Sequence, residues 1–388
     1  MLERSIPFGD TLIYPQHSLP LAYIRHIETL VPEISYPQSV AAEVLSSRTE
    51  SERTRRYIKR VYSESGIDKR HSVIPDFLPG STGSGLFVNL DGSIREPTTG
   101  ERNKVYVDEA RRIIPEIARK AMQNCAGVDA DEITHVITVS CTGFFNPGPD
   151  LLVIDALDLS PKVHRYHLGF MGCYAAFPAL KMAAQFCDLD DTANVLVVCL
   201  ELCSLHLQNK DDLDSIVANS VFADGAAAAV ISSRPPAPGE RGFLLDHFAC
   251  NLAREGIEDM AWDIGDHGFN IVLSKYVARI IGAGIRELMN EVFSGVPLTP
   301  QEITYWAIHP GGRAILDKVE AGLELDPDQV QASRDTLATF GNMSSATVLF
   351  VLSSILDSET TKDQDAVCAM AFGPGLTIET AVLKSVVP

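Results

Sequence analysis

The chain repeats itself. The stretch DEITHVITVSCTG (131–143) resembles QEITYWAIHPGGR (301–313) at an offset of 170 residues. At nearly the same offset, Gly172-Cys173 at the opening of one apolar helix aligns with Gly341-Asn342 at the opening of another, GNMSSATVLFVLSSIL. NVLVVCLELC likewise aligns with DAVCAMAFGPG. One such pair could arise by chance; three in the same order point to an internal duplication of a single unit. Strands alternate with helices through both copies, which is the pattern of an α/β fold. The expected division is an N-terminal half, 1–235, and a C-terminal half, 236–388, joined through the connector SRPPAPGERG (233–242). Two copies packed about a pseudo-twofold axis bring equivalent helix starts face to face. Cys173 and Asn342 then meet in one pocket, and His309, on the loop after the first strand of the second copy, can reach it.

Three groups in one pocket form a sensible chemical set. A helix N-terminus offers unpaired N–H groups and partial positive charge, both of which favour a thiolate, so Cys173 is a candidate nucleophile. The plain alternative is a buried thiol packed as a small hydrophobe. The imidazole of His309 can take the thiol proton and hold an ion pair with the thiolate. The imidazole and the carboxamide of Asn342 can both donate to a developing oxyanion. On simpler readings Asn342 is an N-cap and His309 is ordinary loop polarity. The set requires no metal and no cofactor.

Composition limits the partners. The net charge is −19, which argues against nucleic acid and means that an anionic ligand needs a local basic patch. No run of about 18 apolar residues and no leader-like N-terminal segment occurs, so no membrane span and a cytoplasmic location are expected. The eight cysteines (125, 141, 173, 187, 199, 203, 250, 368) form no C-x-x-C pair and no zinc spacing, as suits reduced thiols. RTESERTRRYIKRVYSE (48–64) reads as an exposed charged helix, 78–101 as an irregular connection, 104–125 as a helix, and NIVLSKYVARIIGAGIRELMNEVF (270–293) as a further helix.

GFMGCYAAFPALKMA, WAIHPGGRAIL, FGNMSSATVLFVL and AFGPGLTIETAVL, taken in order, resemble the four motifs of the type III polyketide synthases, the chalcone synthase family, from about residue 20 to the C-terminus. CTGFFNPGPD and VVCLELCSLHLQ are more similar to bacterial alkylpyrone- and alkylresorcinol-forming members. The resemblance implies a thiolase-like fold of two duplicated α/β halves in an α-β-α-β-α layering. It implies that Cys173 carries the growing chain as a thioester, while His309 and Asn342 bind the malonyl thioester and stabilise its enolate. Phe222 and Trp262 match aromatic gatekeepers. Cys203, His206 and Ser344 match pocket-wall positions where plant enzymes carry small hydroxyl residues, and Gly373 and Gly375 match a loop that shapes the cyclisation pocket. Arg60 matches a contact to coenzyme A, with Arg56 and Lys59 beside it in RTRRYIKR; Tyr57 and Glu64 stand where relatives are basic. The implied substrates are acyl-CoA and malonyl-CoA. The implied assembly is a homodimer with Phe144 and Phe145 of SCTGFFNPGPD at the interface. The apolar gate residues point to an aliphatic starter and alkylpyrone products. Alternatives are alkylresorcinol closure, a β-ketoacyl carrier-protein synthase III, a cysteine hydrolase (which the duplication disfavours), and a scaffold with a decayed site.

Overall fold

The computed structural model of the chain describes residues 12–13, 22–47, 49–78, 85–89, 93, 95–208, 210, 212–274 and 276–388. Among the described residues there are fourteen strands: β1 (Leu12–Ile13), β2 (Ala22–Leu30), β3 (Ser35–Pro37), β4 (Lys69–His71), β5 (His135–Ser140), β6 (His164–Gly169), β7 (Asn194–Leu202), β8 (Asp224–Ser232), β9 (Gly242–Leu252), β10 (Met260–Gly265), β11 (Gly268–Leu273), β12 (Tyr305–Ile308), β13 (Ala366–Gly373) and β14 (Thr377–Val386). The helices are α1 (Gln38–Ser46), α2 (Glu52–Ser63), α3 (Thr99–Asn124), α4 (Pro149–Leu157), α5 (Ala176–Leu189), α6 (Leu213–Val221), α7 (Tyr276–Ser294), α8 (Arg313–Leu323), α9 (Gln331–Phe340) and α10 (Thr347–Asp357).

The main sheet runs β12-β13-β14-β9-β2-β8-β7-β5-β6. Read outward from the β9–β2 junction, both directions follow one pairing scheme. β9–β14 and β14–β13 are antiparallel and β13–β12 is parallel; β2–β8 and β8–β7 are antiparallel and β7–β5 is parallel. The repeat extends to small turns. Capping boxes at Asp129/Glu132 and Thr299/Glu302 deliver the buried Ile133 and Ile303. Thr134 N–H then donates to Asn194 O (2.9 Å) and Thr304 N–H to Ala366 O (2.8 Å), each bridging to the next strand of its run.

Side-chain alternation explains the layering. On β8, Ala227, Ala229 and Ile231 face α5 and α10, while Ala226, Ala228 and Val230 face α3. On β13 and β14, Val367, Ala369, Ala371 and Ala381 join the α5/α10 side, and Cys368, Met370 and Val382 pack on Val277 and Ile281 of α7 and Leu316 of α8. The order is therefore α3, sheet, α5 with α10, sheet, α7 with α8: five layers. A helix buried on all sides must be apolar on all sides, and α10 is buried continuously from Thr347 to Leu352.

Two boundaries differ from the sequence reading. α3 starts at Thr99 rather than 104, because Thr98 and Glu101 form a capping box there. The helix expected over 270–293 starts late: residues 270–273 belong to β11, which pairs antiparallel with β10 through the Gly265–Gly268 turn, and α7 begins only at Tyr276. The β-branched Ile271 and Val272 pair with Trp262 and Ala261, and this cross-strand pairing prevails over the apolar run.

Candidate active site

The pseudo-symmetric glycines set the site. Gly172 and Gly341 have φ of +93° and +75°, a region that disfavours any side chain. A Cβ on Gly172 would lie 2.5 Å from Pro374 Cδ, and one on Gly341 would lie 2.8 Å from Arg70 Cγ. Each glycine aims the next residue, Cys173 or Asn342, toward the seam between the halves.

Cys173 does not open α5, as the sequence suggested; it lies in the turn before it, and the helix begins at Ala176. The thiol is buried, and burial pushes it up to about 11, with the side chains of Ser344 and Asn342 pulling it partly back. Burial therefore opposes the thiolate that a helix terminus was expected to favour. His309 follows β12, its N–H donating to Met370 O (2.8 Å) on β13. Its ring is buried, both ring nitrogens lack a hydrogen-bond partner, and burial holds the imidazole down at about 3. Burial thus disfavours a charge on either group taken alone. Moving one proton between them makes a pair with no net charge, which burial penalises less than either ion alone.

Asn342 is not a simple helix cap. It pairs with Phe222 in an isolated parallel β-bridge: Asn342 N–H donates to Val221 O (2.9 Å) and Ala223 N–H to Asn342 O (2.8 Å). Its Oδ1 accepts Ser344 N–H (2.8 Å), which fixes the carboxamide, and its Nδ2 donates to Gly311 O (3.3 Å). Ser344 is itself buried, with φ of +47°.

Cys173, His309, Asn342, Phe222 and Trp262 line one narrow cavity, together with Gly172, Pro374 and apolar side chains including Ile315 and Phe372. Phe222 and Trp262 meet edge to face, with ring centroids 6.2 Å apart. Six of the lining residues, Met260, Ala261, Trp262, Ile271, Val272 and Leu273, come from the β10–β11 hairpin. Only Trp262 among these was legible in the sequence; the turn DIGDHGFN was the available signal.

Other sequence candidates lie around this cavity rather than in it. Cys203 is buried in the same apolar cluster as Cys173 and Phe222. His206 stacks on Phe269 (3.8 Å), its Nε2 meeting Thr142 O (2.7 Å) and its Nδ1 accepting Phe269 N–H (3.3 Å); it lines a neighbouring cavity with Ile271 and Val272. Of the Gly-Pro-Gly loop, Pro374 faces the cavity. Gly373 is pressed against Tyr174, where a Cβ would come to 2.4 Å, and Gly375 packs near Thr377 and Leu252. Arg56, Lys59 and Arg60 lie on the exposed face of α2, paired with Glu52 (3.9 Å), Glu43 (3.0 Å) and Glu64 (3.1 Å). Among the described residues no helix is long and apolar enough to cross a membrane.

Known proteins share this arrangement. The family models for the N-terminal and C-terminal domains of chalcone and stilbene synthases match residues 14–235 and 250–387. The chain is 31% identical over 377 residues to an alpha-pyrone synthesis polyketide synthase-like Pks18 of Mycobacterium tuberculosis, covering 96% of this chain and 93% of that protein. It is 32% identical over 361 residues to a probable polyketide synthase 1 of Dictyostelium discoideum, of whose length it spans only 11%. The crystal structure of PKS-I from the brown alga Ectocarpus siliculosus superposes with a TM-score of 0.87 at 29% identity, over 96% of this chain and all of that one. The C-terminal type III polyketide synthase domain of Steely1 from Dictyostelium gives 0.83 at 29% identity, over 95% of this chain and all of that one. Duplicated halves, a Cys-His-Asn cavity at their seam and full-length similarity converge on one conclusion: the chain belongs to the chalcone and stilbene synthase family and is a type III polyketide synthase, an acyltransferase of thiolase-like fold.

Proposed function

We propose that the enzyme loads an aliphatic acyl group from coenzyme A onto Cys173, extends it with malonyl-CoA, and releases alkyl α-pyrones. The observation that carries this reading is the pair of unpartnered, buried ring nitrogens of His309 in the same cavity as Cys173 and Asn342. In loading, His309 takes the Cys173 proton as sulfur attacks the acyl-CoA carbonyl. Coenzyme A leaves as its thiolate and recovers that proton. In extension, a ring N–H of His309 and the Asn342 Nδ2 donate to the malonyl thioester oxygen. Loss of CO2 leaves an enolate whose charge those two donors stabilise in a water-poor cavity. Its carbon attacks the Cys173 thioester, forms the new C–C bond and frees the sulfur, so no external base is needed.

Away from Cys173, His309 and Asn342 the cavity walls are mainly apolar and aromatic, as an alkyl starter requires. Closure through an enol oxygen onto the thioester carbonyl gives the lactone and requires no second positioned carbanion. The similarity to an alpha-pyrone synthesis protein supports the same product class. The test is incubation with medium-chain, long-chain or coumaroyl-CoA, each with malonyl-CoA, followed by mass spectrometry. Alkylpyrones from the aliphatic starters are expected. Preference for coumaroyl-CoA overturns the starter assignment, and dominant resorcinols overturn the ring closure. On this reading Arg56, Lys59 and Arg60 exchange their glutamates for the phosphates of coenzyme A. The expected assembly is a homodimer through the segment of Phe144, which is 38% exposed, and its neighbour Phe145; a monomer in sedimentation at micromolar concentration overturns it.

A further inference from the structure

The β10–β11 hairpin forms a two-stranded sheet of its own, separate from the main sheet. An isolated two-stranded hairpin is marginal in water, yet this one supplies a large share of the catalytic cavity wall. Its tip is tied to the other half of the molecule. Thr99, the first residue of α3, donates its N–H to Asp266 O (2.8 Å) and its hydroxyl to Gly265 O, and its Oγ1 accepts Gly268 N–H (2.9 Å). The N–H at this helix position has no intrahelical acceptor and is free to reach outward. Thr98 and Glu101 satisfy their own donors through the capping box.

Arg102, three residues on in the same turn of α3, extends the tie. Arg102, fully buried, donates Nε–H to Pro97 O (3.0 Å) and Nη1–H to Leu205 O and Leu207 O, and its guanidinium lies 4.9 Å from the centre of the Phe87 ring. Gly268 abuts it: a Cβ there would lie 3.1 Å from Arg102 Cζ. The turn that Arg102 holds carries His206, which stacks on Phe269 of the hairpin. The first turn of α3 therefore grips both the hairpin tip and the turn on which the hairpin rests.

We propose that Thr99 is a positioning residue that sets the width of the catalytic cavity, pinning the hairpin that carries Trp262 and so limiting the size of acyl starter admitted. Thr99 touches neither substrate nor the reacting groups. It acts through three hydrogen bonds at the tip, and Trp262 lies three residues from Gly265 on the same strand. The starter class rests on the proposed function, but the positioning itself does not.

The chain has two tryptophans, Trp262 and the fully buried Trp306, so a Trp306→Phe background leaves Trp262 as a reporter on the hairpin. In that background Thr99→Val keeps the shape and removes the hydroxyl. The expected result is a rise of about twofold or more in acrylamide quenching of Trp262, restored by Thr99→Ser. In the otherwise native enzyme, Thr99→Val is expected to raise the kcat/KM ratio of long to short acyl-CoA starters about fivefold, through KM. Malonyl-CoA decarboxylation, which needs no starter, should stay within about twofold. Unchanged quenching and an unchanged starter ratio in a folded Thr99→Val protein overturn the proposal. If no acyl-CoA starter is accepted, the quenching result still decides the positioning role, and only the proposed function fails. If Thr99→Val does not fold, hydrogen exchange of the native enzyme decides: amides of residues 260–273 should be protected like the first turn of α3, and much faster exchange in the hairpin overturns the latch.

Discussion

The two halves start from one template and diverge at the residue that matters. In the first copy, β5 runs six residues, to Ser140; in the second, β12 stops after four, at Ile308. His309 stands where the first copy has Val139, still inside its strand. Pro310 follows it, and a proline cannot donate to a ladder, so pairing ends and the imidazole turns into the cavity. The next strand shows the reverse. β7 carries the buried Glu201, whereas the equivalent position on β13 is Gly373 in a wholly apolar strand. On the proposed function, one half supplies the nucleophile with the buried Glu201 nearby, and the other supplies two hydrogen-bond donors. Duplication makes two equivalent helix starts, and divergence gives them complementary chemistry.

The sharpest way to break this division of labour is Cys173→Ala. It is expected to abolish acyl loading, seen by intact mass, and product formation, with the melting temperature nearly unchanged. Wild-type product levels would sink the assignment of the nucleophile to the first half. Removing the donors of the second half should be less absolute. His309→Ala and Asn342→Ala are each expected to slow CO2 release from malonyl-CoA by roughly 10²-fold or more, the scale of losing an oxyanion donor. Wild-type release in both would end the oxyanion role.

The symmetric glycines sharpen the comparison at the level of stability. Ala at either must adopt positive φ, but the obstacles differ: the ring of Pro374, in the cavity loop, faces Gly172, and the flexible stem of Arg70 faces Gly341. Gly172→Ala is expected to cost about 3 kcal/mol and Gly341→Ala about 1–2 kcal/mol in denaturant unfolding. Equal losses would show that backbone strain alone, not the seam packing, sets the cost.

How much of this was legible beforehand follows from what a repeat encodes. The duplication carried the meeting of Cys173 with Asn342 and the reach of His309, because equivalent positions in equivalent units must face each other across a pseudo-twofold axis; the layer order came only with the family resemblance. The charged α2 was legible by composition. The β10–β11 hairpin was not, because its apolar run continues into α7 and periodicity alone does not separate a short strand from a helix. The state of Cys173 was misread for another reason. A helix terminus lowers a thiol pKa, but complete burial raises it further, and burial is a property of the assembled halves. The grip of Arg70 on Phe222, through Nη1–H to Phe222 O (2.6 Å), had no sequence signal.

The smallest effect concerns the acid that one half keeps and the other lacks. Glu201 accepts hydrogen bonds from Cys141 N–H (2.9 Å), Thr142 Oγ1–H (3.0 Å) and Ser345 Oγ–H, yet burial raises its carboxyl to about 7. Asp224, also buried, is raised to about 6. Unfolded, both titrate near 4, so between about pH 4 and 7 these two carboxyls bind more protons in the folded chain than in the unfolded one. Their own contribution to stability therefore falls as pH rises through that window, while the buried His309 and His206, each held down at about 3, act in the opposite sense up to the ordinary histidine value. Exposed carboxylates act in the opposite sense at lower pH: backbone N–H donation and, for Glu101, the Arg95 contact hold Glu101 down at about 2 and lower Glu302, contributing stability that is lost on acidification. The comparison of wild type with Glu201→Gln isolates the carboxyl from the histidines: the variant, neutral at every pH, should gain stability relative to wild type between pH 5 and 8 by an amount on the order of 2 kcal/mol. Parallel melting curves for wild type and Glu201→Gln from pH 5 to 8 would show that the buried acid of the first half is compensated in full by its three donors.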